Sequence, residues 1–184
     1  MSTTFPGTTI EVTALKKGGS RQLFDGIFAT GGVTLSQVSL MTGVEPYVVQ
    51  NWVKRGFLTS PVKRVYSKDQ FARIILINML KESLQIDVIC GLIRIISGNP
   101  RTESDDLIGN AELYHVYVDM IAEREINITD EKSVAELADG AVAELEERTA
   151  GDKKKLSRIL QVMLYAHSAA ALRKKSEETL SSLL

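Results

Sequence analysis

The nine residues YVVQNWVKR, 47–55, hold two amides, a phenol and two cations in one short stretch. On a helical wheel at about 100° per residue, Val48, Val49, Trp52 and Val53 share one face. Tyr47, Gln50, Asn51, Lys54 and Arg55 share the other. That second face has the chemistry of a nucleic-acid reader: amides pair with base edges, while cations and phenols bond phosphate oxygens. Trp52 lies opposite, where its indole is expected to anchor the helix. Slightly further on, SPVKRVY adds Lys63, Arg64 and Tyr66, residue types suited to the phosphate backbone. Many surface helices carry a polar face, so its meaning depends on the elements that position it.

Those elements are marked in the sequence. Thr34 followed by Gln37 fits a capping box and starts a helix over about Leu35 to Met41. Gly43 supplies a left-handed turn, and Pro46 restarts a helix that stops at Gly56. A short capped helix, a glycine turn and a second helix with this polar face make a helix-turn-helix. FLTSPVKRVYS then reads as a small hairpin or an extended connection. Ser67 and Gln70 form a second capping box, opening a helix whose apolar residues surround its axis, so burial on most sides is expected. A further helix in QIDVICGLIRIIS ends at Gly98.

Upstream, RQLFDGIFA forms one short helix with Leu23, Phe24, Ile27 and Phe28 as its apolar side, between glycine-rich breakers. Downstream, GNPRTESDDLIGN is a loop with Pro100 and an acidic cluster, the expected domain boundary. Helical segments are expected over roughly 111–126, 130–149 and 153–182. In the last, Leu156, Leu160, Met163, His167 and Ala170 form an apolar stripe that serves either packing within the chain or a dimer seam.

Other chemistries find little footing. His115 and His167 stand alone, with no Cys or His at metal-ligand spacing. The single cysteine, Cys90, sits among apolar neighbours and reads as a buried, inert thiol. Asp105-Asp106 reads as a solvated loop or helix cap, and Gly18-Gly19 and Gly31-Gly32 as punctuation, not a phosphate loop. The expectation is a protein that is not an enzyme and holds no metal or cofactor.

Composition is that of a globular chain: 184 residues, 44% hydrophobic and 24% charged, with net charge −1. No apolar run approaches the ~18–20 residues of a membrane span, and the start lacks a signal-peptide core. With one cysteine, the expected location is cytoplasmic. The near-zero charge hides an uneven distribution. Residues 34–96 carry eight Lys/Arg against four Asp/Glu, residues 101–150 four against fourteen, and residues 151–184 seven against three. A basic segment therefore stands beside an acidic one that would face away from nucleic acid.

The stretch TLSQVSLMTGVEPYVVQNWVKRGFL followed by VYSKDQFARIILINML resembles the MerR-type winged helix-turn-helix over about residues 33–97. The shared frame is an initial helix, a T-G-V turn, a helix with Trp and an R-G-F-L step, then Tyr-Ser opening a third helix. VQNWVKRGFL with the later SDDLIGNAELY is more narrowly similar to a bacterial family, domain of unknown function 1836 (DUF1836), which carries a MerR-like domain. The resemblance implies a DNA-binding regulator, normally dimeric. Gln50 and Asn51 stand where MerR-type proteins usually have arginine and tyrosine, and the wing lacks their Asn-Gly-Tyr-Arg turn.

The expected fold is mainly α: a MerR-like winged helix-turn-helix with a short β wing at 33–98, followed by a helical C-terminal region at 99–184 for dimerisation or an effector. Residues 1–32 are expected to be a partly flexible segment. The expected function is a transcriptional regulator that reads double-stranded DNA with helix 46–55 and the wing, as a homodimer without membrane contact. The DNA-binding residues would be Tyr47, Gln50, Asn51, Lys54, Arg55, Lys63, Arg64 and Tyr66. The alternative is a protein-interaction adaptor that uses the winged domain without DNA.

Overall fold

The computed structural model describes residues 3–97, 107–122 and 124–183. In chain order they form strands β1 (Thr3–Thr4) and β2 (Glu11–Val12), helix α1 (Gly19–Ile27), strand β3 (Val33–Thr34), helices α2 (Leu35–Thr42) and α3 (Pro46–Lys54), strand β4 (Val65–Tyr66), and helices α4 (Lys68–Leu80), α5 (Ile86–Ser97), α6 (Asn110–Ile121), α7 (Glu131–Val142) and α8 (Asp152–Ser181). The chain is mainly helical, with two small antiparallel sheets, β1–β2 and β3–β4, among the described residues.

The architecture is organised by α4. A helix that is apolar all round must be enclosed by its neighbours, and every residue from 71 to 77 is buried, Arg73 included. Its N-terminus carries the expected capping box: the Gln70 amide donates to Ser67 Oγ at 3.2 Å, and Gln70 Oε1 accepts from the Ser67 amide at 2.9 Å. Helices α2, α5, α6 and α8 and strand β4 all pack on α4. Asn78, late in α4, donates to the carbonyls of Gly7 and Thr42, both at 2.9 Å, and so ties the N-terminal segment and the end of α2 to the centre.

Residues 3–28 are packed into the body. Phe5 is buried, and Phe24 of α1 has no exposure at all. The Phe24 ring lies 5.6 Å from Phe71, 5.6 Å from Tyr114 and 4.8 Å from His115. Arg21 pairs with Asp119 at 2.6 Å and also with Glu112, fastening α1 to α6. One apolar cluster runs continuously from Phe5 through α4 and α6 to Ala166 of α8. Most of the expected boundary loop, with Pro100 and Asp105-Asp106, lies outside the described residues.

The C-terminal helices depart from expectation at their ends. The first stops at Ile121, where Ala122 turns extended (ψ 138°) ahead of a stretch of Ile, Asn and Thr, residues of modest helix propensity. The second stops at Val142, because the following AELEERTA offers Leu145 as its single large apolar side chain. The stripe on α8 is used within the chain: Leu156, Leu160 and Met163 are buried, with α7 and α4 packed on that helix. His167 likewise turns inward, its Nδ1 2.8 Å from the Tyr117 hydroxyl of α6. Those residues are therefore not free to form a seam between two copies. Beyond residue 170 every described residue of α8 is exposed. Among the described residues no helix is long and apolar enough to cross a membrane.

Candidate functional site

Local rules position α2 and α3. Thr34 and Gln37 form the first capping box, with the Thr34 amide donating to Gln37 Oε1 at 2.8 Å. Gly43 takes the left-handed turn (φ 69°) and Pro46 is the first residue of α3. At the other end, Gly56 (φ 75°) donates to Val53 O and Phe57 to Trp52 O, at 3.0 and 2.9 Å. This is a Schellman closure, which satisfies the last carbonyls of α3. Val49 and Trp52 face the core, fully and 96% buried respectively, so tryptophan anchors the helix as expected.

Tyr47, Gln50, Asn51 and Lys54 lie on the exposed side of α3. Arg55 is exposed as well, but engaged. Its guanidinium stacks 4.3 Å from the Phe57 ring centroid and reaches Asp87, at the start of α5, at 3.5 Å. A cation held this way is partly neutralised, which removes it from a purely outward role. Its partner lies 32 residues away, beyond what a helical wheel can register.

The connection after α3 is a hairpin built on a two-residue turn. Val62 and Val65 exchange both backbone hydrogen bonds, at 3.1 and 3.0 Å. Between them Lys63 and Arg64 both have positive φ, 50° and 66°. That is the pattern of a type I′ turn, whose two central positions favour Asn-Gly. Lys-Arg at those positions lacks that signal, so the turn is not marked in the sequence. Gln70 steadies the approach to it, its Nε2 donating to Thr59 O, Thr59 Oγ1 and Ser60 O at 3.1, 2.8 and 3.1 Å.

Tyr66 corrects an expectation. It pairs with Val33 of β3, and its side chain is 2% exposed, with burial pushing its phenol up from the ordinary value. Successive strand side chains alternate in direction, and here the alternation turns Tyr66 to the core. It is therefore closed off from solvent, whereas Lys63 and Arg64 are exposed.

Between α3, the start of α2 and the hairpin lies a concavity of about 600 Å³. Gln50 and Lys54 border it from α3 and Arg64 from the hairpin, while Leu35, Val53, Pro61 and Tyr66 supply apolar wall. Four of the expected residues, the buried Tyr66 among them, thus meet at one surface, with no carboxylate among the described residues that line it. Tyr47 and Asn51 share the exposed side of α3 but do not line the concavity. The apolar contribution has no sequence signal, because Leu35 and Pro61 flank other elements and converge only in three dimensions.

Groups that could support other chemistry are tied down. Cys90 is 1% exposed, and burial raises its thiol above the ordinary range. His115 Nδ1 lies 2.9 Å from the hydroxyl of Ser20, which is fully buried. Burial lowers the His115 imidazole, as does nearby Arg21, with Glu112 and Asp119 opposing. Burial also lowers His167. Among the described residues no three His, Cys, Asp or Glu side chains gather as metal ligands would.

Residues 34–117 match the family model described as Domain of unknown function (DUF1836), in agreement with the resemblance carried by VQNWVKRGFL. The match takes in α2, α3, the hairpin, α4, α5 and α6 as far as Tyr117. No curated protein and no solved structure matches the chain.

Proposed function

We propose that α2, α3 and the Val62–Val65 hairpin, with the β3–β4 strand pair, form a MerR-like winged helix-turn-helix that binds duplex DNA, and that the chain is a cytoplasmic transcriptional regulator acting as a homodimer. One observation carries this reading: Gln50 and Lys54 on the helix and Arg64 on the hairpin border a single concave surface that no carboxylate lines among the described residues. Lys54, Lys63 and Arg64 would neutralise phosphates, while Gln50 and Asn51 would pair with base edges. Arg55 is a weaker contributor, since Asp87 shares its charge, and Tyr66 supports the fold of the wing. The chain has no proposed catalytic role.

Titration of a labelled random duplex against the whole protein and against Lys54→Ala/Arg64→Ala tests the reading. The double variant should bind more weakly at every salt concentration where the parent binds. Equal binding by both proteins would place the DNA elsewhere or nowhere.

A specific observation favours the adaptor as second reading. Leu40, Tyr47 and Val62 are 78%, 69% and 70% exposed. Apolar side chains so placed on one small unit suit a protein partner as well as a groove. Under that reading, duplex binding would be absent even at low salt.

A further inference from the structure

The concavity beside α3 is more apolar than phosphate contact requires. Leu35, Val53 and Pro61 give it a hydrophobic wall, and Lys54 and Arg64 stand on it with the Gln50 amide. Its volume, about 600 Å³, lies in the range of small-molecule sites, roughly 300–1,000 Å³. It is also preformed. The loop that brings Pro61 is pinned by the Gln70 amide, whose two N–H groups are shared among Thr59 O, Thr59 Oγ1 and Ser60 O, and the hairpin that brings Arg64 is closed by both Val62–Val65 bonds. Tyr66 is held by pairing with Val33.

A DNA strand would use the two cations but leave much of the apolar wall without a partner. An apolar body bearing one anionic group would use both halves. The geometry points to an amphipathic organic anion, a carboxylate or sulfonate on an aromatic or branched aliphatic body, as the ligand of this concavity. The anionic group sits with Lys54 and Arg64, and the body lies against Leu35, Val53 and Pro61. Gln50, Lys54 and Arg64 also belong to the proposed DNA face, so the consequence rests on that reading: anion and duplex exclude one another. The ligand would then act as a release signal at the DNA face itself, needing no change transmitted from the C-terminal helices.

Anilinonaphthalene sulfonate is a suitable probe, because it joins an aromatic body to one sulfonate and fluoresces when the body leaves water. It is titrated into the full-length protein, with amide chemical shifts followed in parallel and duplex binding measured separately. The expected result is one-to-one saturable binding, with shifts centred on Gln50, Val53 and Arg64. Lys54→Gln/Arg64→Gln should weaken it by roughly ten- to a hundredfold, because two charge-assisted bonds are at best replaced by neutral ones about half as strong, and duplex at low salt should displace the probe. Absent binding, binding indifferent to the two substitutions, or shifts centred on the exposed leucines of α8 would overturn the inference. If the protein binds duplex but not probe, the inference falls and the DNA reading stands. If probe binds as described and duplex does not, the site stands and the DNA reading falls. Simultaneous binding of both without displacement overturns the shared site.

Discussion

Lys63 and Arg64 occupy the two central positions of one tight turn, and both hold left-handed backbone, φ 50° and 66°. Side chains with a Cβ visit that region at a cost of about 1–2 kcal/mol each. Asn-Gly would close the same turn with less strain.

Replacing the tip by Lys63→Asn/Arg64→Gly should therefore raise stability by roughly 1 kcal/mol while weakening duplex binding. Thermal denaturation and fluorescence anisotropy measure the two effects. A variant that is less stable, or one that binds duplex undiminished, would separate the turn from the DNA face.

Arg55 and Asp87 make an opposite case. Both side chains are substantially exposed, 45% and 73%, so their pair contributes little to folding. Asp87→Ala should leave the melting temperature nearly unchanged and strengthen duplex binding by freeing Arg55 and removing a negative charge from its vicinity. Lys54→Ala should weaken binding more than Arg55→Ala does. Equal losses from the two lysine and arginine variants, with no gain from Asp87→Ala, would show that Arg55 is fully committed to DNA.

Both histidines are held by burial below their ordinary value of 6.5, with Arg21 adding to the effect at His115. In the unfolded chain the rings take up protons as pH falls through about 6.5, whereas the folded chain takes them up only lower. The unfolded state then binds more protons, so stability drops as pH falls through this window and returns as pH rises. The melting temperature should be lower at about pH 5.5 than at about pH 7.5. Ring-proton NMR should give both titration midpoints below 6.5, and midpoints above it would contradict the buried, neutral assignment.

The proposed homodimer must use a surface that the monomer leaves open. Leu156, Leu160 and Met163 are buried within the chain, but Leu172, Leu180 and Leu183 are 60%, 58% and 78% exposed. A chain ending at Ala171 keeps the buried stripe and the His167–Tyr117 contact. Light scattering should find full-length dimers and truncated monomers, with similar melting temperatures. A monomeric full-length protein, or a truncation that still pairs, would rule out the end of α8 as the interface.

Features determined by neighbours along the chain were legible in the sequence. Thr34 with Gln37 and Ser67 with Gln70 are three-residue relationships, and both capping boxes form. The turn at Gly43, the start at Pro46 and the inward Trp52 follow from local geometry in the same way. Features set by distant partners were not legible. Tyr66 is drawn inward by pairing with Val33, Arg55 is drawn aside by Asp87, and Phe24 meets Phe71, Tyr114 and His115. The apolar stripe of α8 fits equally a partner chain or α4 and α7, and periodicity carries no information on which of them covers it. The concavity is of the same kind, since its walls come from α2, α3 and the hairpin together.

In the proposed DNA complex, Lys54, Lys63 and Arg64 present their charge to the duplex. Each phosphate neutralised contributes about −0.9 to the slope of log K against log salt. Anisotropy titrations of the full-length protein with labelled duplex at several salt concentrations should give a slope of about −2.7 per chain, doubled for a dimer. Each single alanine substitution at these positions should reduce that slope by about 0.9 per chain. Binding that is absent at low salt, or present with a slope near zero, would contradict the account.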